Sequence, residues 1–189
     1  MPKAKIHPWK LREAARCFGQ GGILAYPTEA IYGLGCDPLN WSAVQRLLLL
    51  KQRPIDKGLI LIAANYEQLL PFIKPLPEER MQPVLDSWPG PNTWLLPVAE
   101  DLPYWLCGRH NTLAVRVTNH PIAAALSLAC SSPLVSTSAN ISSRAPAANP
   151  TQVRDRLANM ADCIVHGATG ERKAPSTIRE AATGRIIRG

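Results

Sequence analysis

The sequence predicts an α/β fold, a single domain built on a mixed sheet. Strand-like and helix-like stretches alternate along the whole chain, which is the pattern of a layered α/β domain. Leu59 to Ala64 is a continuous apolar run, as expected of a strand covered on both faces. Composition shifts sharply nowhere, so the expectation is one domain over residues 1–189, with its core at about 9–188. At 189 residues, 46% hydrophobic and 19% charged, the chain can bury a core without disulfide or metal staples.

The elements follow in order. Leu11 to Phe18 has helical spacing and stops at Gly19, Gly21 and Gly22. Ile23 to Tyr26 reads as a short strand closed by Pro27. Ser42 is placed to cap a helix through Val44, Leu47, Leu48 and Leu50 up to Lys51, with Pro54 preventing continuation. Tyr66 to Ile73 is helix-compatible, and Lys74 to Pro83 reads as a proline-rich connection. Trp88-Pro89-Gly90-Pro91 is a rigid turn into the apolar stretch Trp94 to Val98. From Leu113 to Thr118 the residues alternate, Leu113, Val115 and Val117 on one face and Ala114, Arg116 and Thr118 on the other. Ile122 to Cys130 and Val153 to Met160 read as helices. Leu134–Val135, Cys163 to Val165 and Arg185 to Arg188 complete the strands.

Formal charge is +7, from 21 Lys plus Arg against 14 Asp plus Glu, which favours anionic partners without separating a nucleotide from a nucleic acid. A basic surface that only aids solubility is the other reading. Cys17, Cys36, Cys107, Cys130 and Cys163 are scattered and form no Cys-x-x-Cys, so they read as reduced, buried residues of a cytoplasmic protein. No signal-like apolar run follows Met1 to Lys10, and nothing approaches the ~20 apolar residues of a membrane span, so no membrane association is expected.

The common nucleotide and hydrolase motifs fail. Gly33 and Gly35 begin a Gly-x-Gly-x-x-Gly pattern that ends in Pro38, and Gly-Lys-Ser/Thr, Gly-x-Ser-x-Gly and His-Glu-x-x-His are absent. What remains is polar residues at strand ends, where open α/β sheets bind ligands. Tyr26 to Gly35 presents the Thr28 hydroxyl from what reads as a loop. Lys51-Gln52-Arg53-Pro54 has two readings: cations facing a helix C-terminal dipole, or, with Arg53 held extended before proline, two cations aimed at one anion. Thr112 and Arg116 share a strand face about 13 Å apart. Arg116 suits either a ligand carboxylate or phosphate, or a buried ion pair with an internal acid. Ser136-Thr137-Ser138-Ala139-Asn140 sets hydroxyls, an amide and backbone N–H groups after a strand, which suits phosphate oxygens, with Arg144, Ser176 and Arg188 placed to complete the site. His120 before Pro121 reads as structural, and His7, His110 and His166 have no ligating spacing.

Several motifs occur in a characteristic order: Pro27-Thr28-Glu29 with Tyr32-Gly33-Leu34-Gly35, Lys51-x-Arg53-Pro54, Trp88-Pro89-Gly90-Pro91, Ala114-Val115-Arg116, His120-Pro121, Ser136-Thr137-Ser138-Ala139-Asn140 and Pro175-Ser176-Thr177-Ile178. In this order, over nearly the whole chain, they resemble the YrdC family of threonylcarbamoyl-AMP synthases, in the short bacterial form without an additional C-terminal domain. The resemblance implies an open twisted sheet with flanking helices and a concave basic cavity. It implies that L-threonine, bicarbonate and ATP, the last with Mg2+ as co-substrate, give threonylcarbamoyl-AMP and pyrophosphate without a tightly bound prosthetic group. By the same resemblance Thr28, Arg116 and Ser176 hold threonine, while Lys51, Arg53, Thr112, Ser138, Asn140, Arg144 and Arg188 surround ATP, with Lys51 and Arg53 countering the charge of the leaving pyrophosphate. The product passes to a tRNA threonylcarbamoyl-transferase complex acting beside the anticodon. Ala30, Ile62 and Ser143 depart from the family pattern, where threonine, histidine and glycine are frequent.

The competing expectation is a non-catalytic protein that holds double-stranded RNA or tRNA in a basic cavity, and weak RNA contact beside catalysis is a variant of it. With 6% aromatic residues and no RNA-motif signature, single-strand stacking is not encoded. Retention of both the Lys-x-Arg and the Ser-x-Asn pairs favours the enzyme, because backbone phosphates ask only for positive charge.

Overall fold

The computed structural model describes residues 6–141, 144–157, 160–172 and 174–188. Its helices are α1 (Pro8–Gly19), α2 (Trp41–Lys51), α3 (Glu78–Asp86), α4 (Tyr104–Cys107), α5 (Pro121–Ala129) and α6 (Pro150–Leu157). Its strands are β1 (Leu24–Pro27), β2 (Tyr32–Gly35), β3 (Ile60–Ala63), β4 (Asn92–Pro97), β5 (Thr112–Val117), β6 (Leu134–Ser138), β7 (Cys163–Ile164), β8 (Thr177–Glu180) and β9 (Ile186–Arg188). They join in one mixed sheet of order β7-β1-β2-β6-β3-β5-β4-β8-β9. Pairs β1/β7, β3/β5 and β4/β8 are parallel and the other five are antiparallel. β6 joins the two halves: Leu134 to Ser136 pair with β3, while Thr137 and Ser138 pair with β2.

Side-chain alternation sorts the core. Leu61, Leu113, Val115, Val117 and Leu96 point into a large apolar cluster with Val44 and Leu47 of α2, Val84 of α3, Leu106 of α4 and Val153 of α6. On the opposite face Leu24, Tyr26, Ile62 and Leu134 are covered by Ala14 and Phe18 of α1 and Ile122, Ala123 and Leu126 of α5. These two helices cover only part of that face. The remainder, over Ile60, Ala114, Leu95 and Ser136, is the floor of the cavity described below.

The mixed α/β sheet with flanking helices is as expected, but several local expectations are corrected. Asn40, not Ser42, caps α2: its Oδ1 accepts from Ala43 N at 3.1 Å, one turn inside the helix. The stretch from Lys74 to Pro83 is not a plain connection, since α3 starts at Glu78. Glu78 and Glu79 in its first turn suit the helix dipole, and nine residues are short enough to accommodate Pro83. Tyr66 to Ile73 forms 3-10 turns over Glu67–Phe72, around Pro71. The last predicted helix begins at Pro150 and is described to Leu157.

The largest correction is at Tyr26 to Gly35, which is a hairpin rather than a loop: β2 pairs with β1 from Pro27↔Tyr32 to Leu24↔Gly35. Tyr-Gly-Leu-Gly reads as turn chemistry, yet its glycines serve close approach. A Cβ at Gly35 would sit 2.2 Å from the Val135 carbonyl oxygen. Gly35→Ala is therefore expected to lower stability by about 1–3 kcal/mol, measured as a lower urea midpoint at unchanged slope; an unchanged midpoint refutes it. Among the described residues no helix is long and apolar enough to cross a membrane.

Candidate active site

The uncovered part of the sheet forms a cavity of about 510 Å³. Strand register builds its floor: Ser136 of β6 lies opposite Ile60 of β3, Ile60 beside Ala114 of β5, and Ala114 opposite Leu95 of β4. All four line the cavity. Because β6 runs antiparallel to β3 and β5 parallel to it, continuing each strand sorts the polar residues by end. Ser138 and Thr112 fall at one end, flanking Gly58. Arg116 falls at the other, about 13 Å from Thr112 at the usual strand rise.

At the first end Arg53 donates to the Gly58 carbonyl from Nε at 3.2 Å and from Nη2 at 2.8 Å. Its pKa is drawn down by burial and then by the like charge of Arg188. The two cations repel each other, and an anion beside them relieves that repulsion. Arg188 lies between the two ends: its backbone pairs with Ile178, toward Thr93 and Arg116, and its guanidinium donates to the Ser176 carbonyl at 3.2 Å.

At the second end Arg116 is buried and paired, its Nη1 3.0 Å from Glu29 Oε2. Both sequence readings of Arg116 therefore meet in one residue, an ion pair that also lines the cavity. Glu29 Oε1 accepts from Thr118 Oγ1 at 2.7 Å and from Asn119 N at 3.1 Å. Burial alone raises the Glu29 pKa, but Arg116, the Thr118 hydroxyl and backbone donors outweigh it, leaving the carboxyl below its ordinary value. Thr28 lines the cavity with its Oγ1 donating to the Ile31 carbonyl at 2.8 Å. Ser176 lines it too, its Oγ accepting from Thr93 Oγ1 at 2.9 Å. Thr93 adjoins Arg116 by continuation of the β4/β5 register.

The connection from β7 to β8 must cross the sheet, and it does so over this second end. Gly170 N donates to the Thr28 carbonyl at 3.0 Å and Arg172 N to that of Glu29 at 3.1 Å. A Cβ on Gly170 would meet the Glu29 carbonyl oxygen at 2.5 Å, so the approach requires glycine. The Tyr32 hydroxyl donates to the Gly167 carbonyl at 2.7 Å, and His120 Nε2 lies 3.1 Å from the Ala168 carbonyl. Donation to that carbonyl fixes His120 as the Nε2–H tautomer, and burial lowers its pKa, which matches the structural role read from sequence.

The structure thus brings Thr28, Arg53, Thr112, Arg116, Ser138, Ser176 and Arg188 around one cavity. Lys51, Asn140 and Arg144 are not among the residues lining it. Lys51 and Arg53, read from sequence as facing either a helix dipole or one anion, turn onto different carbonyls. Gln52 closes α2 with φ 49°, and the chain turns so that Lys51 faces the β6 loop while Arg53 faces Gly58. Lys51 Nζ donates to the Ser138 carbonyl at 2.6 Å, the Asn140 carbonyl at 2.7 Å and Asn140 Oδ1 at 2.6 Å. Its pKa is brought down to about 8 by burial and then by Arg53, while the acceptors on Ser138 and Asn140 favour the charged form. Arg144 is exposed, and its carbonyl accepts from Asn140 Nδ2 at 2.6 Å. Of the family departures, Ala30 lines the cavity, Ile62 is wholly buried under α5, and Ser143 lies outside the described residues.

Sequence reasoning left Lys57, Arg172 and His110 without a role, yet all three line the cavity. No spacing announced them, because each comes from a different connection. Glu29, quoted only as part of a motif, is the one carboxylate among the described lining residues, against Arg53, Lys57, Arg116, Arg172 and Arg188. The cavity is strongly basic, as expected.

A family model described as telomere recombination, Sua5/YciO/YrdC, matches residues 16–189. The chain is 49% identical over 180 residues to a threonylcarbamoyl-AMP synthase of Nitrosococcus oceani, covering 95% of this chain and 97% of the relative. It is 50% identical over 181 residues to a protein of the same name from Halorhodospira halophila, covering 96% and 95%. A crystal structure of P. abyssi Sua5 complexed with L-threonine superposes with a TM-score of 0.89 at 35% identity, over 96% of this chain and 54% of the other.

Proposed function

The chain belongs to the Sua5/YciO/YrdC family, and from that premise we propose that it joins L-threonine, bicarbonate and ATP into threonylcarbamoyl-AMP and pyrophosphate. Relatives named threonylcarbamoyl-AMP synthase, and a neighbouring structure complexed with L-threonine, support the reaction and the amino acid. The observation that carries the reading is the sorting of the cavity by strand register. Hydroxyls and guanidinium suited to a polyphosphate stand at one end, with Thr112, Ser138 and Arg53. A carboxylate-binding set stands at the other, with Arg116, Thr28 and Ser176.

In this reading Arg116 holds the threonine carboxylate, with Thr28 and Ser176 beside it. The threonine amine attacks the carbon of bicarbonate, water leaves, and a carbamate forms. A carbamate oxygen then attacks the α-phosphorus, and the bond to the β-phosphate oxygen breaks with its electron pair going to pyrophosphate. Arg53 and Arg188 bear on the charge that grows on that leaving group, while Thr112 and Ser138 orient the nucleotide. Catalysis is positioning and charge stabilisation, with no protein nucleophile. Mg2+ enters as part of the ATP substrate. Glu29, the lining carboxylate, is already engaged by Arg116, Thr118 and Asn119, so this reading gives it no metal to hold. The adenylate is a labile mixed anhydride, and a separate transferase passes its threonylcarbamoyl group to tRNA. Free thiols at Cys17, Cys36, Cys107, Cys130 and Cys163 support a reducing, cytoplasmic setting.

The test is to incubate the folded protein with ATP, Mg2+, bicarbonate and L-threonine and to follow pyrophosphate and the adenylate by mass spectrometry. Pyrophosphate release that needs threonine and matches the adenylate formed is the expected outcome. Release that ignores threonine, or none at all, overturns the reading.

A further inference from the structure

We propose that Glu29 is the positioning residue of this site: it sets the orientation of the Arg116 guanidinium, so that the uncommitted edge of the fork receives the α-carboxylate of the amino-acid substrate. This rests on the reading of Arg116 given above.

Glu29 lies on the turn between β1 and β2, far in sequence from β5, and its carboxylate spans the gap. One oxygen, Oε1, is gripped by the end of β5, through the Thr118 hydroxyl at 2.7 Å and Asn119 N at 3.1 Å. Thr118 is itself 2% exposed, and its hydroxyl oxygen accepts from His120 N at 3.2 Å. The anchor is therefore part of the chain's own corner and not a mobile surface group. The other oxygen, Oε2, faces Arg116 Nη1 at 3.0 Å. Glu29 is held on its far side, so it can act on Arg116 without being displaced by it.

A guanidinium offers five N–H donors in a rigid plane, and one carboxylate can use only part of that fork. Arg116 Nε is buried and has no acceptor among the described residues. Nε is closed off from the cavity that Arg116 lines, so a ligand there meets the guanidinium through its terminal nitrogens. Glu29 Oε2 stands beside Nη1, so the terminal side of the fork turned away from Glu29 is the one left for a second carboxylate. The same residue ties this geometry to the crossing segment, because its backbone carbonyl accepts from Arg172 N at 3.1 Å. A purely structural clamp would support both ends of the cavity alike. A positioning residue acts through Arg116, and its effect is confined to ligands that carry a carboxylate.

That difference is what the experiment reads. Binding of L-threonine and of L-threoninamide, which lacks the carboxylate, is measured by calorimetry on the wild type, Glu29→Gln and Glu29→Gln with Arg116→Ala, beside the KM for ATP. Glu29→Gln is expected to weaken L-threonine by about 10- to 100-fold, to change L-threoninamide and the ATP KM by less than about 3-fold, and to add nothing once Arg116 is alanine. Thr118→Val keeps every charge and releases Oε1. It is expected to give the same threonine-selective loss at smaller size, and it serves if Glu29→Gln unfolds. Equal loss for both ligands, or full additivity with Arg116→Ala, overturns the positioning role. A wild type that binds no threonine sinks the enzyme reading instead, whereas wild-type binding with unaltered variants sinks only the proposal for Glu29.

Discussion

Arg116→Ala is expected to lower kcat/KM for L-threonine by on the order of 100- to 1000-fold, because it removes the charged partner of the substrate carboxylate from a desolvated site. ATP binding should stay within a few-fold, since Thr112 stands about 13 Å away along β5, at the end where Arg53 and Ser138 flank Gly58. The substitution also strands the Glu29 carboxylate, and breaking a buried pair in this way costs about 3–5 kcal/mol. The pH dependence separates the two effects. In the wild type the Glu29 pKa lies below its ordinary value, so its contribution to stability is complete above about pH 4.5 and is lost as pH falls through the lower folded value. Without Arg116 the strongest force opposing burial is gone, and the folded pKa rises from its wild-type position. The variant should then recover stability relative to the wild type as pH falls below 5. Urea unfolding at pH 7 and pH 4.5, with threonine-titrated pyrophosphate release, checks both; parallel pH profiles would refute the stranded-carboxylate account.

How much of this was legible in the sequence depends on the kind of signal each residue left. The alternation at Leu113 to Thr118 is legible because one face is wholly apolar, and it puts Thr112 and Arg116 on the same strand face. The strand at Leu59 to Ala64 was equally plain, since Leu61, Ile62 and Ala63 are fully buried. β2 was missed because Tyr-Gly-Leu-Gly has poor strand propensity. Only the approach of the Val135 carbonyl to Gly35 explains why glycine is there. β8 was missed for a related reason: Thr177 to Glu180 is half-buried along its length and shows no clean alternation. At the site, hydroxyls and cations at strand ends could be named from order alone. Their sorting into two ends could not, because it depends on β6 running antiparallel and β5 parallel to β3. Partner choice was the least legible part. Arg116 was expected to meet either an internal acid or a ligand, and only the fold brings Glu29, 87 positions away in sequence, within 3.0 Å of it.

Lys51 is a buried cation tied to the loop that follows β6, and its replacement carries the second large expected effect. Its ammonium holds the Ser138 and Asn140 carbonyls, Asn140 Oδ1 and the Ser138 hydroxyl, so it fixes the end of β6 where Ser138 lines the cavity. Lys51→Met should raise the KM for ATP and lower kcat, for a combined loss of about 100-fold, the usual consequence of an ångström-scale misplacement of a binding group. Net stability at pH 7 should change little, because two effects of similar size oppose each other. The acceptors on Ser138 and Asn140 lose their donor, which destabilises. A charge whose folded pKa has fallen from 10.5 to about 8 is removed, which stabilises. The sign with pH follows. Between pH 8 and 10.5 the unfolded chain keeps the Lys51 proton while the folded chain sheds it, so wild-type stability gains with pH across that window. The methionine variant lacks that gain, and the stability difference between the two should move toward the wild type on going from pH 7 to pH 10. Urea unfolding at those two pH values, with ATP-titrated pyrophosphate release, measures it. Full ATP use by the variant would show that the loop keeps its shape without the ammonium.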